Sequence, residues 1–148
     1  LMRLTISVAP VRSAPVDPAE TTASPLPSRR RLSATVMEES FLRRVAVLGD
    51  MLELGACTPA EHYRVGRLAA ANSDLVYAYG PNASRVVGGC ITGGMGEYHA
   101  QAFTEMDKII AALKRTLAPG DVVLVKGSHG MHMEKILDAF LTDKKEGN

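Results

Sequence analysis

An α/β fold, built as a mostly parallel sheet with helices on both faces, is what the sequence predicts, and three observations carry that expectation. From about residue 43, short apolar runs rich in β-branched residues alternate with amphipathic segments, the rhythm of strands joined by covering helices. Two of the runs, Val45-Ala46-Val47-Leu48 and Val122-Val123-Leu124-Val125, each lead into a glycine-bounded loop and then a helix. A chain of 148 residues that is 46% hydrophobic supplies the core of one domain and leaves too little for two.

Taken in order, Leu4-Thr5-Ile6-Ser7-Val8 alternates apolar and polar residues and predicts a short edge strand. Pro10, Pro15, Pro18, Pro25 and Pro27 then fall among Ser, Thr, Ala and the run Arg29-Arg30-Arg31. Such a stretch buries too little to offset its ordering entropy. Residues 9 to 31 are expected to be a disordered linker, and residues 1 to 42 an irregular leader before a domain over 43 to 148.

Val45-Ala46-Val47-Leu48 predicts a buried strand. In the next helix Thr58 is expected to cap, Pro59 to take the first helical position and Glu61 to close a capping box, with Val65, Leu68 and Ala69 following and Asn72 as the stop. Leu75-Val76-Tyr77-Ala78-Tyr79 is the second strand, closed by Gly80-Pro81-Asn82. A short helix over residues 83 to 87 and a flexible glycine-rich turn over 88 to 96 come next. Residues 98 to 103 predict a third strand. Thr104 is expected to cap a helix whose buried face is Met106, Ile109, Ile110, Leu113 and Leu117, with Lys114 and Arg115 near its negative end and Pro119-Gly120 ending it. The run from Val122 is the most hydrophobic strand. Met133, Ile136, Leu137, Phe140 and Leu141 stripe a last helix, and a charged, fraying tail is expected from Thr142.

Composition excludes several functions. A net charge of +1, from 17 basic and 16 acidic residues spread along the chain, provides no extended basic face for nucleic acid. Cys57 and Cys90 lack Cys-x-x-Cys spacing, which argues against zinc and disulfides and predicts a reducing, cytoplasmic setting. No apolar run nears the roughly 20 residues of a membrane span, and the first nine residues are too short and polar for a secretory core. A soluble, intracellular protein is expected.

The candidate chemistry lies in the two loops, because ligands of open α/β sheets gather beyond the carboxyl ends of the strands. In Lys126-Gly127-Ser128-His129-Gly130, the lysine stands at a strand end, Gly127 lets backbone approach a ligand and Ser128 can donate to a carboxylate, while amides at the start of the last helix add positive potential. A solvated lysine, a plain turn and an N-cap serine explain the same residues without a ligand. In Gly49-Asp50-Met51-Leu52-Glu53-Leu54-Gly55, Asp50 and Glu53 can accept from an amine or ribose, with Met51 beside them, or the loop can be a packed lid. The stretch from 88 to 96 lacks the order of a phosphate loop. His129 and His132 lie three apart beside Glu134, but no third ligand of suitable spacing accompanies them, so no metal is expected, and His62 reads as a packed or surface histidine. Spacing alone assigns no catalytic residue.

Together the first loop with its strand, His62 with Val65-Gly66, the run from Pro119 to Ser128, and Met133-Glu134 resemble the C-terminal domain of the MurF-type Mur ligases, over roughly residues 43 to 141. The resemblance implies a Rossmann-like sheet and membership of the UDP-N-acetylmuramoyl-tripeptide:D-alanyl-D-alanine ligases of peptidoglycan synthesis. In that reaction ATP phosphorylates the tripeptide carboxylate, and the dipeptide amine attacks the acyl phosphate to give an amide, ADP and phosphate. It further implies that Lys126, Gly127, Ser128 and His129 help hold D-alanyl-D-alanine, while Asp50, Met51 and Glu53 border the same cleft.

Two departures stand out. His129 and His132 occupy positions where the family usually has arginines, which implies a softer grip on a carboxylate. Residues 1 to 42 hold no Asp-x-Tyr-Asn-Ala-Asn-Pro motif, and the chain has no Gly-Lys-Thr phosphate loop. ATP and Mg2+ are therefore expected to belong to other domains of the family, and this chain alone to form no amide. The first forty or so residues then predict a truncated or frame-disrupted gene, or an unrelated leader. A stand-alone small-carboxylate-binding module and a folded remnant without a ligand are the alternatives.

Overall fold

Five strands form one sheet in the order β1-β5-β2-β3-β4. They are β1 (Leu4–Ile6), β2 (Arg44–Gly49), β3 (Leu75–Tyr79), β4 (Ala100–Phe103) and β5 (Val122–Lys126), and the helices are α1 (Thr58–Asn72), α2 (Ala83–Thr92), α3 (Met106–Thr116) and α4 (Glu134–Glu146). The computed structural model describes residues 4–6 and 43–146. The predicted linker over 9 to 31, and the rest of the predicted leader apart from β1, lie outside the described residues. Strands β2 to β5 run parallel, and β1 joins the β5 edge antiparallel, with Thr5 opposite Leu124. The predicted edge strand is thus present over Leu4–Ile6, and its Ser7 and Val8 lie outside the described residues.

Helices cover both faces, as the alternating pattern predicts. On one face, Val45, Val47, Leu75, Tyr77 and Val125 pack with Ile109, Leu113, Ile136 and Leu137 of α3 and α4. On the other, Ala46, Leu48, Val76 and Ala78 meet Ala69 of α1 and Val86 and Cys90 of α2. Tyr77 stacks on Phe103 at 6.0 Å between ring centroids. Burial pushes the Cys90 thiol up to about 11, while Cys57 is exposed, and both are free.

Several local expectations need correction. The helix predicted over 83 to 87 runs on to Thr92, so the first glycines of the supposed flexible turn are helical. A Cβ on Gly66 would stand 1.9 Å from the Val86 carbonyl oxygen, and one on Gly89 2.0 Å from that of Tyr63. The glycines are there because α1 and α2 cross with their backbones nearly touching. Neither predicted cap forms: the Thr58 hydroxyl donates to the Gly55 carbonyl at 2.7 Å from inside the helix, and α3 starts after Glu105 without a side-chain cap. β4 begins at Ala100, after a 3-10 turn over Glu97–His99. α4 continues beyond Thr142 to Glu146. Among the described residues no helix is long and apolar enough to cross a membrane.

Candidate functional site

A cleft of about 540 Å³ opens where β2 and β5 end, and both predicted loops line it. Register explains the meeting, since Leu48 lies opposite Lys126 in adjacent parallel strands and the next residues of each strand start a loop. The loops are then joined directly: the Ser128 amide donates to the Asp50 carbonyl at 3.1 Å, and the Leu52 amide donates to the Ser128 hydroxyl oxygen at 2.8 Å. Ser128 therefore ties loop to loop, in place of the expected helix cap.

Of the predicted site residues, Lys126, Gly127, Ser128, His129, Met51 and Glu53 line this cleft. Asp50 does not. It is buried, with its carboxylate accepting from the Asn82 side-chain amide at 2.7 Å and from the Asn82 backbone amide at 3.2 Å, while its own amide donates to the Tyr79 carbonyl. Gly80 makes the room, as a Cβ there would sit 2.6 Å from Asp50 Oδ1. Asp50 is thus a pin beneath the loop and no longer a candidate for accepting from an amine or ribose.

His62, also buried, is the second pin. Its Nε2 accepts from the Met51 amide at 3.0 Å, and its Nδ1 donates to the Thr58 carbonyl at 2.6 Å, the tautomer that both contacts require. Asp50 Oδ1 lies 3.7 Å from Nε2. Residues 50, 51 and 52 are therefore each fixed by their amides, and Glu53 follows in the left-handed region at φ 65°. The spacing of His62, Gly66 and Ala69 on one helix face signals burial in the sequence, but the partners Met51 and Asn82 come only with the fold.

The second loop departs from expectation in two respects. Gly127 makes room inside the protein, since a Cβ would meet Met133 Cγ at 2.9 Å and Gly49 Cα at 3.1 Å. The last helix begins at Glu134, beyond a 3-10 turn over His129–Met131 and a left-handed His132, so its first amides are not next to Ser128. The Glu134 carboxyl is held below its usual range by its own backbone amide and by His132, whose Nδ1 is 3.2 Å away. Among the described residues no group of three or more His, Cys, Asp or Glu is placed to hold a metal ion. Leu48, Val65 and Val86, which the sequence does not single out as site residues, form the cleft's apolar wall.

Residues 27–129 match the family model described as Mur ligase, glutamate ligase domain. The chain belongs to the Mur ligase family. The match starts upstream of residue 43, from which the motif resemblance was drawn. Similar relatives carry the name UDP-N-acetylmuramoyl-tripeptide--D-alanyl-D-alanine ligase. The one from Treponema pallidum is 40% identical over 98 residues, 66% of this chain and 21% of the relative. That from Escherichia coli is 37% identical over 100 residues, again 66% and 21%. The Mur ligase fold is also seen in MurF of Acinetobacter baumannii, with a TM-score of 0.57 at 30% identity over 65% of this chain and 21% of that one. MurF of Thermotoga maritima, solved with ADP, shares the fold with a TM-score of 0.57 at 23% identity, over 77% of this chain and 26% of that one. The domain is thus of the MurF C-terminal type, and the chain spans about a fifth of the length of these relatives.

Proposed function

We propose that this chain is the substrate-binding C-terminal domain of a cytoplasmic, ADP-forming ligase that adds D-alanyl-D-alanine to UDP-N-acetylmuramoyl-tripeptide in peptidoglycan synthesis. The observation that carries the reading is the convergence of the two loops on one cleft, in a chain whose relatives are named for that reaction. Lys126 offers a point charge to the dipeptide carboxylate from the end of β5, and His129 beside it adds a ring nitrogen. Leu48, Val65 and Val86 accept small methyl side chains and keep water from them. Such a cleft holds and orients an amine nucleophile, which lowers the barrier to its attack by prepaid positioning.

ATP and Mg2+ activate the acceptor carboxylate in this family, but the residues described here do not fit that pair. The sequence has no Gly-Lys-Thr loop, and among the described residues no cluster of carboxylates and histidines is placed for a metal. The chain alone is therefore proposed to bind the dipeptide without forming the amide.

Titration of the 148-residue chain with D-alanyl-D-alanine, followed by amide NMR, tests the reading. Shifts are expected at residues 51–54 and 126–129, with Lys126→Ala weakening binding about fivefold, as for loss of one solvent-accessible ion pair. A spectrum unmoved at millimolar dipeptide favours the folded remnant and overturns the reading.

A further inference from the structure

Resting on that reading, we propose that the cleft sorts the two ends of a zwitterionic dipeptide, Glu53 receiving the ammonium and Lys126 the carboxylate, so that the ligand enters in one orientation. Glu53 is the one acidic residue lining the cleft and Lys126 the one lysine or arginine, and they belong to opposite loops. Among the described residues neither side chain has a hydrogen-bond or ion-pair partner, and they do not pair with each other. Two opposite, solvent-exposed charges thus line one cleft without pairing, a pattern that a small molecule bearing both charges complements.

The backbone at Glu53 strengthens the assignment. Its φ of 65° strains a residue with a Cβ, and the chain does place a glycine in the left-handed region two residues later, at Gly55. Strain retained at a cleft residue whose side chain has no internal hydrogen bond or ion pair points to a contact made with a ligand. The backbone that leads into Glu53 is held in place, because the amides just before it are fixed to Tyr79, His62 and Ser128. Leu48, Leu52 and Val86, which line the same cleft, favour small apolar side chains on the ligand. The ligand class is therefore a short peptide with both termini free.

Three ligands separate the ends: D-alanyl-D-alanine, its N-acetyl derivative and its C-terminal amide, each titrated at low salt into the whole chain and the variants Glu53→Gln and Lys126→Met. Glu53→Gln is expected to weaken the free dipeptide and the amide about fivefold and to leave the N-acetyl form unchanged. Lys126→Met is expected to weaken the free dipeptide and the N-acetyl form and to leave the amide unchanged. Glu53→Gly should raise the melting temperature by releasing the strain while weakening the free dipeptide, so that stability and binding move in opposite directions. If Glu53→Gln weakens all three ligands equally, or none of them, while the free dipeptide still binds, the orientation is overturned and the function stands. Failure of the free dipeptide to bind at all overturns both.

Discussion

At the scale of single residues, three glycines on α1 and α2 show how unlike each other identical residues can be. Gly66 and Gly89 sit where the two helix backbones nearly meet, and a methyl group at either would overlap a carbonyl oxygen that belongs to the helix ladder and cannot turn aside. Gly88, next along, would place its Cβ no nearer than 4.0 Å to the Tyr63 ring. Gly66→Ala is accordingly expected to destabilise the domain by about 3 kcal/mol through overpacking. Gly88→Ala should stabilise it by roughly 0.5 to 1 kcal/mol, since alanine is the better helix former and meets nothing. Urea midpoints of the two variants, moving in opposite directions from the parent, check both. A shared direction would show that the helices are free to separate.

At the scale of elements, the loops matter more than the strands that carry them, because three successive residues of the first loop are held by three different parts of the fold. The Leu52 amide depends on Ser128, and Ser128→Ala removes its acceptor while leaving both strands intact. A loss of about 1 kcal/mol is expected, with faster hydrogen exchange at Leu52 and unchanged exchange in β2. Equal acceleration in both would locate the effect in the sheet. The strands and the stripe of α3 were legible in the sequence because their periods are local: Ile109 and Leu113 are buried together wherever that helix packs. The meeting of the two loops was legible from the strand ends alone. Caps were not, since a hydroxyl such as that of Thr58 can serve either its own helix or the preceding turn, and Gly55 won. Asp50 was misread for a related reason: its partner Asn82 lies 32 residues away, and only the packing of β2 beside β3 brings them together. β5, the most apolar run, leaves Leu124 42% exposed because the core beneath α1 and α2 includes no residue of β5.

At the scale of the whole molecule, the end of the sheet opposite the cleft is closed by charge. Arg43 donates through Nε and Nη2 to the two Asp121 carboxylate oxygens at 3.0 and 2.6 Å, and Nη2 also reaches the Thr116 carbonyl at 2.8 Å. The Ala118 amide adds a third hydrogen bond to the same carboxylate, so one clamp joins the end of α3 to the starts of β2 and β5. The Arg43 hydrogen bond, with help from the Ala118 amide, holds the Asp121 carboxyl below its usual range. A carboxyl depressed in the folded state stabilises the fold above the pKa of the unfolded chain, and that contribution fades as pH falls through the folded value. Asp74, lowered by Arg44, shifts the same way, but that pair is exposed and contributes little. Asp121→Asn is therefore expected to cost about 1 to 2 kcal/mol at neutral pH and to lose its penalty in acid, where the wild-type carboxyl is itself protonated. Melting temperatures of the two proteins, recorded from neutral pH down to about 2, should converge below the ordinary aspartate range near 3.9. Curves that stay parallel across that interval would mean that the carboxylate charge contributes nothing and that shape alone holds this end of the sheet together.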